Sequence, residues 1–254
     1  MIVLKQTPLR IVSLVPSQTE LLYDLGLEDN VVGITKFCVH PVHLKRTKTN
    51  VGGTKQIHID KIKALNPDII LCNKEENTKE IVDACSEICK VHVSELYTIQ
   101  DTIALIKEYG SLFNKRTDAL KIINKIEYNL RDFQDFIKDK PVLKVAYFIW
   151  RAPWMVAANN TFINHLLELN NFENIYANLE RYPEVEIKKL RLQGDPDLIL
   201  LSSEPYPFKE EHAFELGRFS HHAKTVFVDG EYFSWYGSRL INAFDYFKTL
   251  RNRL

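Results

Sequence analysis

Between Asn114 and Lys138 the chain carries no glycine and no proline. Apolar residues recur there at Leu120, Ile123, Ile126, Leu130, Phe133 and Ile137, at spacings of three and four. The other face carries Lys121, Lys125, Glu127, Arg131, Asp132 and Asp135. This pattern predicts one amphipathic helix of about 25 residues, near 37 Å long at about 1.5 Å per residue, closed by Pro141. A rod of that length exceeds the thickness of one small lobe, so it is expected to tie two lobes together.

On both sides of this helix, short apolar runs alternate with amphipathic stretches. Before it, Arg10–Pro16, Asn30–Thr35, Asp68–Cys72 and Val91–Leu96 read as strands. Helices are expected at Asp60–Leu65 and Glu76–Cys89, with an earlier one opened by a capping box over Ser17–Glu20 and stopped near Gly26. After it, Val142–Trp150, Asp197–Ser203 and Thr225–Asp229 read as strands, and Thr161–Asn170 and Tyr236–Leu250 as helices. Such alternation implies parallel sheets covered by helices. The expected fold is α/β: an N-terminal lobe over 1–113, a connecting helix over 114–140 and a C-terminal lobe over 141–254. Ala64–Leu71 (ALNPDIIL) resembles Gln193–Leu200 (QGDPDLIL), as two similar lobes would require.

Composition narrows the function. Across 254 residues, 45% hydrophobic and 26% charged is ordinary globular content and argues against long disordered tracts. Thirty-three basic and 33 acidic residues cancel, so no global field favours nucleic acid or an anionic membrane. No run approaches the roughly 18 apolar residues of a membrane span. At the start, Met1–Leu4 is interrupted by Lys5 and Gln6, which does not read as a secretory leader, so a cytoplasmic location is expected for this sequence, and a periplasmic one if a leader was removed from it. Four cysteines are too few for a disulfide framework. Neither a G-x-S-x-G elbow, an H-E-x-x-H pair nor a G-x-G-x-x-G loop occurs, and Val51–Lys55 (VGGTK) lacks the spacing of a phosphate loop. His40 and His43 flank Pro41, and His221 adjoins His222; neither pair has helical metal-ligand spacing. No catalytic residue, resident metal or intrinsic cofactor is expected.

The aromatic loops of the second half are more informative. Trp150–Met155 (WRAPWM), Ser202–Phe208 (SSEPYPF) and Asp229–Gly237 (DGEYFSWYG) each follow a strand. Ligands of open parallel sheets bind outside the carboxyl ends of strands. Rings at Trp154, Tyr206, Phe233, Trp235 and Tyr236, with Arg151 and Glu204 among them, suit a flat, bulky, partly polar ligand. The first half offers Thr35–Pro41 (TKFCVHP) and Asn73–Asn77 (NKEEN).

These residues carry a resemblance. Arg10–Leu22 (RIVSLVPSQTELL), Val31–Ile34 (VVGI), His40-Pro41 and ALNPDIIL resemble the cobalamin and ferric-siderophore receptors of ABC importers. Val51–Lys55, Asn73–Asn77, Ser202–Lys209 and Asp229–Arg239 are similar to a signal-less branch of helical-backbone metal receptors. The resemblance covers nearly the whole chain. It implies two α/β lobes on one rigid helix and a ligand held in the cleft between them. The ligand would be a bulky metal chelate: a corrinoid such as cobalamin, an iron–siderophore or a haem-like complex. Any metal would arrive inside that chelate. Phe37 and Thr54 fall where the cobalamin receptor has a tyrosine and a tryptophan. Lys74, Arg151 and Arg239 would neutralise ligand carboxylates or phosphate. Importer-bound relatives dock on a permease through one acidic residue per lobe. Asp60 stands at the first position, whereas Ile187–Leu190 (IKKL) occupies the second, so Lys188 and Lys189 weigh against that partner. Two rival readings remain: an enzyme acting on the chelate through Glu75, Glu76 or Glu204, and a ligand-dependent sensor.

Overall fold

The structure, a computed structural model, describes residues 7–254. Met1–Gln6, on which the leader argument rests, lies outside the described residues. By its internal contacts the chain divides into two compact units. One holds the residues through Tyr128 together with Tyr236–Ile241; the other holds Asn129–Trp235 and Asn242–Leu254.

The first unit follows a βα alternation: β1 (Ile11–Ser13), α1 (Pro16–Asp24), β2 (Val31–Ile34), α2 (Leu44–Thr47), β3 (Thr49–Asn50), α3 (Ile59–Ala64), β4 (Ile69–Asn73), α4 (Lys79–Ser86), β5 (Lys90–Ser94) and α5 (Ile99–Leu112). The strands form one parallel sheet in the order β3-β2-β1-β4-β5. Every residue of β4 is buried, as a central parallel strand covered on both faces requires. Local signals start the helices. Thr78 accepts the Ile81 N–H at α4, and Thr98 with Asp101 forms a reciprocal capping box at α5.

The predicted rod is α6 (Arg116–Ile137), and the division between units falls inside it, after Tyr128. Its apolar stripe is shifted from the expected one. Leu120 is 52% exposed, while Ala119 and Ile122 are buried with Ile123, Ile126, Phe133 and Ile137. Spacings of three and four admit both stripes, and packing selects between them.

The second unit runs β6 (Leu143–Trp150), β7 (Met155–Val156), α7 (Phe162–Leu169), β8 (Phe172–Asn174), β9 (Leu198–Ser202), α8 (Glu210–Gly217), β10 (Lys224–Val228), α9 (Gly230–Ser234) and α10 (Leu240–Arg253). Its sheet has the order β10-β9-β6-β7, with β8 also on β6; only β7 is antiparallel.

The Pro-Asp repeat has a physical cause. Asp68 donates its backbone N–H to the Arg10 carbonyl at 2.8 Å, and its carboxylate accepts the Arg10 N–H at 2.9 Å. In the other unit Asp197 does the same to Lys144, at 2.8 Å and 2.7 Å. Each aspartate thus clamps the start of the neighbouring strand, satisfying backbone groups that the ladder leaves open.

Three expectations fail. Ser17–Glu20 is not a capping box: α1 begins at Pro16, capped at Val15 without a side-chain bond, because proline is already set for the first helical turn. The closing helix over Tyr236–Leu250 starts later than expected, as α10 at Leu240, after Gly237, whose φ of +97° is a left-handed conformation that favours glycine. The C-terminal lobe is also not the unbroken stretch 141–254, since Tyr236–Ile241 belongs with the first unit. Helix α5 had no counterpart in the sequence reading.

Candidate ligand-binding site

In the second sheet the strand order reverses at β6, where β9 and β10 lie to one side and β7 and β8 to the other. The carboxyl ends of the adjacent parallel strands β6 and β9 are therefore where folds of this kind bind their ligands. Both ends carry rings. β6 ends at Trp150, 39% exposed. The chain then turns through Arg151–Pro153, with Ala152 at φ +64°, and returns antiparallel as β7, which puts Trp154 beside the strand end. β9 ends at Ser202 and leads into Tyr206 and Phe208.

These side chains make one continuous platform. Trp154 stacks on Phe208 at 5.9 Å and 9°. Tyr206 lies 4.9 Å from Phe208 and 5.5 Å from Trp150. Trp154 and Tyr206 are half-buried, and Phe208 is buried with His212. His212 Nδ1 accepts the Lys209 N–H at 2.8 Å, which leaves the ring proton on Nε2, 3.3 Å from the Tyr206 hydroxyl oxygen. The Arg151 guanidinium lies 5.6 Å from the Trp154 ring centroid and pairs with Glu215 of α8 at 3.0 Å. The platform offers flat apolar faces, one phenol and one already neutralised cation.

Arg151, Trp154 and Tyr206 thus lie together at this strand end. Glu204 is employed otherwise: its Oε1 accepts the Trp235 indole N–H and the Ser234 hydroxyl, both at 2.8 Å. Trp235 is buried. Phe233, at 0% exposure, is a core residue against Tyr147 and Phe247, not part of a ligand wall. Tyr236 is buried in the first unit, where its hydroxyl receives the Gln18 amide at 3.0 Å and burial raises its pKa. Loop residues beside glycine were expected to be exposed; here α9 turns Phe233 inward instead.

In the first unit, Phe37 is 49% exposed and lies against Gly53, where an added Cβ would approach its ring to 3.3 Å. Lys74 pairs with Glu95. Arg239 grips Glu20 through bonds of 2.9 Å and 2.8 Å; burial pushes the Glu20 carboxyl up against that pull. Burial likewise raises the Glu76 carboxyl, opposed by Lys55 and a Thr54 hydrogen bond. Asp60 is exposed in the first turn of α3. Lys188 and Lys189 are exposed, with Lys189 paired to Glu186 at 2.7 Å. His221 and His222 both turn toward Asp195, at 3.2 Å and 3.7 Å, because they sit in a bend and not a strand.

The sequence reading missed His212 and Glu215. The three-residue spacing from Lys209 to His212 at the start of α8 was the available signal for the first. Nothing local marks Glu215 as the partner of Arg151.

Two parallel α/β units, one bearing a ring platform on its strand ends, define a solute-binding protein. The sequence profile described as "Periplasmic binding protein" matches residues 11–218, and the chain belongs to that family, one of substrate-binding proteins and not of enzymes. It is 26% identical over 256 residues to an ABC transporter substrate-binding lipoprotein of Bacillus subtilis, covering 94% of this chain and 79% of the relative. A solved periplasmic haem-binding protein of Pseudomonas aeruginosa superposes with a TM-score of 0.82 at 21% identity, covering 96% of this chain and 92% of that one. The periplasmic vitamin B12 binding protein of Vibrio cholerae gives 0.80 at 19% identity, covering 97% and 98%. At these identities the solved structures establish the fold.

Proposed function

We propose that the protein binds a bulky metal chelate, a corrinoid or a haem-like or ferric-siderophore complex, against the Trp150–Tyr206–Phe208–Trp154 platform. The observation that carries this reading is the position of that platform, on the carboxyl ends of β6 and β9 where the strand order reverses. Similarity to proteins that bind vitamin B12 and haem supports it. Stacking on a flat macrocycle uses ring faces and asks for little charge. Each cation first assigned to the ligand already holds a carboxylate of the chain: Arg151 holds Glu215, Lys74 holds Glu95 and Arg239 holds Glu20. A ligand face of low net charge therefore fits best. The metal comes inside the chelate, so no resident ion is required.

The partner is an ABC permease, and the site of action is outside the cytoplasm, as for the periplasmic and lipoprotein relatives; this departs from the cytoplasmic location expected from the first residues. Asp60 and Lys188 present opposite charges, so the permease surface carries a cation facing Asp60 and an anion facing Lys188. The test is titration of apo protein with cyanocobalamin, haemin and a ferric siderophore, followed by tryptophan fluorescence. Saturable one-to-one quenching with a Kd below about 10 μM is expected for one class. Absence of saturation across all three overturns the reading.

A further inference from the structure

The second unit carries a separate groove at the opposite, N-terminal end of β6. Its volume is ≈ 550 Å³, within the range of small-molecule sites. It shares no lining residue with the ring platform, and the length of β6 separates the two by about 20 Å at roughly 3.3 Å per residue.

Two charges line it without neutralising each other. Lys144 and Glu173 are register partners on the parallel strands β6 and β8, so their side chains share one face of the sheet. Both are exposed, and they form no ion pair with each other. Among the described residues neither the Lys144 ammonium nor the Glu173 carboxylate has a partner. A third polar group is set by its neighbour. Tyr176 is buried and donates its hydroxyl to Gln193 Oε1 at 3.0 Å, which orients the amide and leaves its NH₂ to donate elsewhere. Burial raises the Tyr176 pKa, which keeps that hydroxyl a donor. The remaining wall sets Ile175, Leu179 and Leu192 among Asn174 and Asn178; Ile175 and Leu179 are half-buried, and Leu192 is 87% exposed.

We propose that this groove is a second binding site, for a free α-amino acid with an aliphatic or aromatic side chain. Lys144 and the Gln193 amide take its carboxylate, Glu173 takes its ammonium, and Ile175, Leu179 and Leu192 cover its side chain. A zwitterion satisfies both unpaired charges at once, where an anion or a cation alone satisfies one. The site is independent of the chelate reading.

The test uses calorimetric titration of the full chain with L-leucine and L-phenylalanine. Isoamylamine, which lacks the carboxylate, and 4-methylpentanoate, which lacks the ammonium, serve as controls. Saturable binding of at least one amino acid is expected, with each control weaker by about tenfold or more. Lys144→Met and Glu173→Gln each weaken it by about tenfold. Both leave chelate titration unchanged, so failure here and failure of the chelate reading are distinguishable. No saturable binding up to about 10 mM, or binding that both variants leave within about twofold, overturns the proposal.

Discussion

The Glu204 carboxylate holds the indole of Trp235 at 2.8 Å and takes the neighbouring Ser234 hydroxyl on the same oxygen. A residue expected to meet the ligand instead fixes the loop after α9. Glu204→Leu leaves a buried indole N–H without its acceptor, which costs about 1–3 kcal/mol. Urea unfolding should show that loss, while chelate affinity falls less than for a platform variant. A larger effect on affinity than on stability would return Glu204 to the ligand.

Trp154 is the platform residue with a stacked neighbour behind it and a cation beside it. Trp154→Ala should weaken chelate binding by about tenfold or more, as removal of a central aromatic anchor does. Trp154→Phe should recover part of the loss. Equal Kd values for wild type and Trp154→Ala in the fluorescence titration would contradict the placement.

Glu76 sets a pH dependence. Burial lifts its carboxyl above the ordinary value, so the folded state disfavours the ionised form. The sign follows from linkage: the fold bears this cost once the pH exceeds the raised pKa, and bears none below the unfolded value near about 4.3. Glu76→Gln should therefore raise Tm at pH 8, by roughly 2–4 °C for each kcal/mol recovered, with the gain shrinking as the solution is acidified. Thermal scans across pH check this, and a gain independent of pH would show that ionisation is not the cause.

Asp60 and Lys188 can be tested by charge reversal. Asp60→Lys and Lys188→Glu should each slow association with the permease by about two- to fivefold at low salt, with the difference fading as ionic strength rises. Surface plasmon resonance on reconstituted permease reads both. Faster association of Lys188→Glu would mean that the partner presents cations at both positions.

Much of the fold was legible because it is local. The β-branched runs and the glycine-free stretch before Pro141 needed no tertiary information, and the Pro-Asp repeat recurs because each aspartate clamps a strand start. The rest depends on distant partners. Phe233 looked like a loop ring beside Gly230; its burial is decided by Phe247 on the next helix and by Tyr147, far away in sequence. Arg239 looked like a ligand cation; Glu20, 219 residues earlier, claims it. Leu120 and Ile122 fit the same helical period, and only packing separates them. The platform itself was half legible: strand-end loops rich in rings announced it, whereas the tautomer of His212 and the Arg151–Glu215 pair emerged only in three dimensions.

The Gln18 amide joins Ser94, Tyr109 and Tyr236 in one buried network, and Tyr236 arrives only after the whole Asn129–Trp235 stretch of the other unit. Because a ribosome delivers the chain from its amino end, the first unit emerges early yet stays incomplete until almost all of its sister has been synthesised. A nascent chain halted before Tyr236 should exchange the amide protons of α1 faster than the released protein does. The two halves therefore cannot mature strictly one after the other.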